Sequence, residues 1–183
     1  MTEDDVRLDV SHFRSQAKGE DGIPQIVVTT ALPVIAPYLT RLLNASPSQG
    51  IFLSSWKKSR ILAVKKTTVP SSPSDFQPVA LLYSLSKVLE KLVHDQVMAF
   101  LERSKILNPF QTGFRKFYST QSALIKLTDD IHIGKEKKLA NLLLQLDFSK
   151  AFDTISTSKL LQNLRNLGFS KLALQWFWSY LSG

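Results

Sequence analysis

Apolar positions along this chain repeat with two periods, and those periods mark out its elements. Residues 84–104 carry Leu85, Val88, Leu89, Leu92, Val93, Gln96, Val97 and Phe100 at helical spacing, the clearest amphipathic helix in the sequence. Residues 25–44 place Leu32, Ile35, Leu39 and Leu42 on one side. Pro33 and Pro37 within that stretch predict a kink or two shorter helices. Residues 120–131 predict a further helix with Leu124, Leu127 and Ile131 inward. Near 158–167, Leu160, Leu161, Leu164 and Leu167 form one stripe, and Gly168 fits the left-handed position just past its end. Ser170 can cap a final helix carrying Trp176, Phe177, Tyr180 and Leu181.

The strand pattern is scarcer. Ile61-Leu62-Ala63-Val64 favours a strand within 56–66. Residues 140–146 form an apolar run that barely alternates, which predicts a central strand buried on both faces. Between these elements lie loops near 46–50, 69–78 and 108–119, and a basic turn at 134–138. Residues 1–17 are polar and are expected to pack poorly at their start. There are no internal repeats. Helices outnumber strands, so the fold class is α+β.

Composition sharpens this picture. With 183 residues and 44% apolar content, the chain can be one domain or part of a larger one, with a folded core. The formal net charge is +8, and residues 51–120 hold eleven bases against four acids. That excess favours a polyanion partner or is a solvated surface. There is no cysteine, which excludes disulfide scaffolds, thiolate zinc sites and a cysteine nucleophile. His12, His94 and His132 lack metal-ligand spacing. No apolar run approaches the ~18–20 residues of a membrane span. The acidic start does not resemble a signal peptide, so the expected location is intracellular, with nucleus or cytoplasm undecided.

The chemistry centres on Leu146-Asp147-Phe148-Ser149-Lys150-Ala151-Phe152-Asp153. A carboxylate at the end of a buried strand is poorly solvated unless it is paired or metal-bound. Nucleotidyl transfer needs such carboxylates to hold two Mg²⁺ ions. The plainer reading of Asp147 is an Asp that caps the next turn. An aspartyl-phosphate enzyme wants a second Asp two residues on, where Ser149 stands. The Phe152 ring could lie under a nucleotide sugar and exclude a 2′-hydroxyl, or it could be core. Gln111-Thr112-Gly113-Phe114-Arg115-Lys116 suits phosphate or template contacts, and Lys65 and Lys66 could reach a triphosphate or merely be solvated.

These motifs occur in a familiar order. Lys18-Gly19-Glu20-Asp21-Gly22-Ile23-Pro24 is followed by Leu43-Asn44, Gly50 and Trp56-Lys57. Then come Asp75-Phe76-Gln77-Pro78-Val79-Ala80-Leu81-Leu82 and Ser86-Lys87-Val88-Leu89-Glu90-Lys91. Gln111 to Arg115, Ser119-Thr120, Leu146 to Asp153 and the Trp-x-x-Ser-Tyr-Leu ending at Trp176–Leu181 complete the series. From about residue 18 onward the chain resembles the reverse transcriptase domain of a non-long-terminal-repeat (LINE-type, jockey-like) retrotransposon.

The resemblance implies a right-hand polymerase fold: a polar segment at 1–17, fingers at 18–139, and the beginning of a palm at 140–183. The palm sheet would be incomplete and the thumb absent. It implies Asp147 as the first metal carboxylate with the Phe148 carbonyl beside it on Mg²⁺. Phe152 would be the sugar-selecting ring, Lys65 a triphosphate contact, and Arg115 a residue that helps hold template or nucleotide. The implied partners are an RNA template, a DNA primer and deoxynucleotides, with no membrane. Missing palm, thumb or endonuclease portions of the same element are further candidates.

Two features depart from the family pattern. Gln77 stands where the family usually has Arg, and losing such a phosphate contact costs on the order of 1.5–3 kcal/mol. The sequence also stops before the family's Pro-Gln-Gly segment and paired aspartates, so a fragment inactive alone is expected. The alternatives are a non-catalytic nucleic-acid-binding remnant or a pseudogene product.

Overall fold

The computed structural model describes residues 1–13, 17–148 and 151–182. Two compact units divide the chain: Met1–Gln96 with Ser156–Gly183, and Val97–Ile155. Among the described residues there are six α-helices and one two-stranded antiparallel sheet, a mixed α+β composition dominated by helix.

The first unit begins with α1 (Glu3–His12). A capping box starts it: the Thr2 hydroxyl accepts the Asp5 amide at 3.1 Å, and the Asp5 carboxylate accepts the Thr2 amide at 2.7 Å. Val6 and Val10, one turn apart, are fully buried. The polar look of residues 1–17 therefore misled: two valines suffice to bury one face of a short, well-capped helix.

Helix α2 (Gln25–Gln49) is one continuous helix through Pro33, Pro37 and Pro47, so the alternative of two shorter helices is not what forms. An interior proline costs about 3 kcal/mol. The stripe Val28, Leu32, Ala36, Leu39 and Leu43 is buried, at roughly 1.5–3 kcal/mol for each large side chain, a gain of the same order as the cost of the prolines. The helix packs against α1 and against α6 (Lys171–Leu181). Gly50, with φ 67°, ends it, so the expected loop at 46–50 is mostly helix. Contrary to the sequence expectation, this 25-residue helix is long and apolar enough to cross a membrane by length and composition. Its buried face covers 28% of the most apolar stretch, while Val27, Val34 and Tyr38 are exposed.

Strand β1 (Arg60–Lys65) pairs antiparallel with β2 (Phe76–Leu81), with Arg60 opposite Leu81 and Lys65 opposite Phe76. β1 falls where expected. β2 overlaps the loop expected at 69–78, a stretch with three prolines and three serines, of which Pro78 lies within the strand. A two-stranded ribbon has open edges, where a missing N–H is tolerated. The connection is tied by Asp75, whose carboxylate accepts the Ser71 and Ser72 amides at 2.8 and 2.9 Å. Those backbone hydrogen bonds hold its pKa below the ordinary carboxylate value.

Helix α3 (Ser84–Arg103) contributes Val88, Leu89 and Leu92 to the core. Helix α5 (Thr157–Asn166) ends before Gly168 at φ 88°, and Ser170 caps α6 by accepting the Ala173 amide at 3.2 Å. Both match the sequence reading. Trp176 of α6 is buried beside Phe52, with ring centroids 5.6 Å apart, and its indole donates to the Ser46 hydroxyl at 2.9 Å.

The second unit holds the end of α3 and α4 (Thr120–Glu136), which starts at a Ser119/Ser122 capping box. It runs past the expected end at 131, so the basic turn begins later, with Lys138 at φ 53°. Leu127 and Ile131 are half-buried, but Leu124 is exposed rather than inward. An added Cβ on the buried Gly134 would strike the Asn141 side chain.

The expected buried strand at 140–146 is overturned. No strand is present there among the described residues, and Leu142 and Leu144 are 97% and 76% exposed. A strand is defined by ladder partners, and the described residues place none beside this run.

Candidate functional site

Within the second unit the structure joins two of the sequence motifs. Phe114, from the loop between α3 and α4, meets Phe152 edge to face, with centroids 6.1 Å apart. The Asp147 to Asp153 motif and the Gln111 to Lys116 motif therefore adjoin. Asp147 is exposed, and its Oδ1 accepts the Phe148 amide at 2.9 Å. Phe148 and Phe152 are likewise exposed, at 77% and 76%. Ser149 and Lys150, including the position at issue for aspartyl-phosphate chemistry, lie outside the described residues.

Arg115 is the most heavily engaged side chain here. Its Nε and one terminal nitrogen donate to the two oxygens of Glu102 at 2.9 and 2.8 Å. The other terminal nitrogen donates to the carbonyls of Asn108 and Gln111 at 3.2 and 3.1 Å. The guanidinium also lies 4.4 Å from the Tyr118 ring centroid. Only 8% of the side chain is exposed, and the Glu102 hydrogen bonds raise its pKa above the ordinary value.

Around it are Phe114 and Lys116 of the same motif, and Phe110, Phe117, Lys126 and Glu102, which the sequence did not single out. Phe114 and Phe117 both have positive φ, 59° and 68°, and are 82% and 94% exposed. Lys116 lies 5.4 Å from the Phe117 ring, and Lys126 lies 4.8 Å from the Phe110 ring. The one sequence signal was alternation of base and aromatic through Phe114-Arg115-Lys116-Phe117-Tyr118. Glu102 gave none, because its partner is thirteen residues away.

The other expected residues belong to the first unit. Lys65 ends β1 and is exposed; Gln77 sits on β2 opposite Val64. Lys66 donates to the Ser74 carbonyl at 3.2 Å. Gly19 of the early motif abuts the Leu82–Tyr83 backbone. A cavity of about 380 Å³ is lined by Lys18, Gly19, Glu20, Gly22, Ser59 and Arg60.

Polymerase sites hold divalent ions between several carboxylates. Among the described residues no group of three or more His, Cys, Asp or Glu could hold a metal ion. The one carboxylate of Asp147 and its neighbouring carbonyl do not by themselves fit a two-metal centre.

Residues 64–183 match the family described as reverse transcriptase (RNA-dependent DNA polymerase), and the chain belongs to that family. Its relatives come from mobile elements, as the motif order implied. It is 32% identical over 155 residues to the probable RNA-directed DNA polymerase from transposon BS of Drosophila melanogaster, covering 82% of this chain and 17% of that protein. To the RNA-directed DNA polymerase from mobile element jockey of the same fly it is 26% identical, covering 83% and 17%. To the probable RNA-directed DNA polymerase from transposon X-element, also of that fly, it is 28% identical, covering 80% and 16%. The chain thus spans about one sixth of the length of these relatives.

Proposed function

We propose that this chain is part of the RNA-directed DNA polymerase of a non-long-terminal-repeat retrotransposon. Residues 18–139 serve as fingers and 140–183 as the beginning of the palm, with 1–17 a preceding segment. The observation that carries the reading is the Phe114–Phe152 contact, which unites two motifs inside the stretch matched to the family.

In this reading Asp147 supplies one carboxylate for Mg²⁺ with the Phe148 carbonyl beside it, and further carboxylates come from outside these 183 residues. Phe152 selects deoxynucleotides by crowding a 2′-hydroxyl. Lys65 meets the triphosphate, and Arg115 helps hold the template. Gln77 lacks the charge that the family usually brings to its position. RNA template, DNA primer and deoxynucleotides are the partners, in an intracellular setting. The rest of a palm and thumb, or an endonuclease portion of the same element, completes the assembly.

Primer extension tests this directly. The purified 183-residue chain should extend no primer on an RNA template with Mg²⁺, since one carboxylate cannot hold both ions. Extension that disappears in Asp147→Ala would overturn the assignment of the remaining carboxylates to other residues.

A second reading, a nucleic-acid-binding remnant without catalysis, is favoured by the exposed bases and rings of residues 103–126. It expects weak, sequence-tolerant binding that falls steeply with salt. A misfolded relic, by contrast, would leave α3 without protection from hydrogen exchange.

A further inference from the structure

The loop at 108–118 combines features that are costly apart and coherent together. Phe114 and Phe117 occupy the left-handed region, where a bulky residue is a conformational outlier held only by its surroundings. Both rings are largely exposed, Phe114 meeting only the equally exposed Phe152 edge to face, so burial gives little back for that strain. Between them stands Arg115, the most heavily bonded side chain of the loop. Its fork is closed on Glu102, at the end of α3, and on the carbonyls of Asn108 and Gln111. Most of its donors are thus spent inside the protein, and its side chain is nearly covered.

We propose that Arg115 is a positioning residue: pinned by Glu102, it holds Phe114 and Phe117 outward as a stacking platform for the bases of single-stranded nucleic acid. The inference rests on the polymerase reading above and gives the template-side role of Arg115 a different physical form, in which Arg115 does not itself touch phosphate.

The choice of ligand follows from charge and shape. Residues 102–130 contain five bases against three acids, and with Arg115 paired to Glu102 and Lys126 to Asp130 the platform keeps a modest positive excess from Arg103, Lys105 and Lys116. Lys116 beside Phe117 and Lys126 beside Phe110 place cations next to rings, the pairing that suits a strand whose bases stack while its phosphates are neutralised. A duplex hides its base faces and would gain only the charge term.

Affinity of the 183-residue chain for a fluorescein-labelled single-stranded RNA twelve-mer tests this, with the matching DNA strand and RNA duplex alongside. Wild type should prefer either single strand to the duplex. Phe114→Gly and Phe117→Gly should each lower affinity about fivefold or more, while thermal stability stays level or rises as the strain is relieved. Glu102→Gln separates pin from contact. If Arg115 is a pin, removing the Glu102 charge weakens binding even though the protein becomes more positive. If Arg115 contacts phosphate, the same change strengthens binding. Arg115→Lys should fail as fully as Arg115→Gln, because one ammonium cannot replace the fork, and neither should alter the slope of log affinity against log salt.

Rescue by lysine, a gain in Glu102→Gln, or a reduced salt slope in Arg115→Gln would overturn the pin and leave the polymerase reading intact. Glycine variants that bind like wild type, or a preference for duplex, would overturn the platform. If wild type binds no RNA or DNA even at low salt, the inference and the nucleic-acid part of the polymerase reading fall together.

Discussion

Leu43 and Leu142 are the same side chain in two different situations. Leu43 is fully buried, whereas Leu142 is 97% exposed. The contrast extends to their units. Every buried apolar residue among those described lies in Met1–Gln96 or Ser156–Gly183. Val97–Ile155 has none, yet it carries Leu139, Leu142, Leu143, Leu144 and Leu146 in one stretch. Apolar residues make a core only where other elements close over them. In the first unit α1, α2 and α6 do so. At 139–146 no described element closes over the leucines, so they stay at the surface.

The largest effect is expected at Trp176. It donates to Ser46, meets Phe52 edge to face, and stacks on Tyr180 with centroids 5.3 Å apart. Trp176→Ala should cost about 3–5 kcal/mol in urea unfolding. A loss below about 1 kcal/mol would mean that α6 is not part of this core.

Gly19 and Gly113 offer the same substitution in the two units. A Cβ on Gly19 would lie 2.9 Å from the Leu82 carbonyl and from the Tyr83 amide nitrogen, backbone atoms with no easy escape. Gly19→Ala should cost about 1–3 kcal/mol. Gly113→Ala meets nothing within 4 Å and should stay within about 0.5 kcal/mol. Equal melting shifts in the two variants would erase the distinction between the units.

Glu90 tests the cost of closure in the first unit. Burial pushes its pKa up, and the Ser86 hydroxyl, donating at 2.9 Å, with nearby Lys87, only partly offsets this. The folded state therefore binds the proton more tightly than the unfolded chain. Stability should fall as pH rises from the ordinary glutamate value through the raised folded one. Glu90→Gln should remove that slope and give a small gain at neutral pH. A less stable variant at neutral pH would mean that the carboxylate is favourably paired.

Much of this was legible in the sequence, and the gaps have physical causes. Helices α3, α5 and α6 and strand β1 follow from periodicity and caps, both of which are local. β2 was hidden because Pro78 is tolerated on an open edge, a fact about neighbours rather than propensity. The run at 140–146 shows the same limit from the other side: its composition favours a strand, but the ladder must come from elsewhere. Asp147, Phe152 and Arg115 were singled out by motif. The Arg115–Glu102 pair and the positive φ of Phe114 and Phe117 were not visible, because they arise only when the loop folds back on α3.

The smallest effect belongs to Leu142, and it is the one that most directly breaks or sharpens the comparison. Truncating a buried leucine costs about 2–5 kcal/mol, through lost transfer energy and the cavity left behind. At 97% exposure Leu142 offers neither, since its methyl groups already face water and no neighbour would be left unsupported. Leu142→Ala should therefore change unfolding free energy by less than about 0.5 kcal/mol. It should also lower the tendency to self-associate, which light scattering would detect, because an exposed apolar run is a template for pairing between chains. A cost above about 1 kcal/mol would mean that residues 139–146 are covered in solution, and the second unit would then have a core of its own.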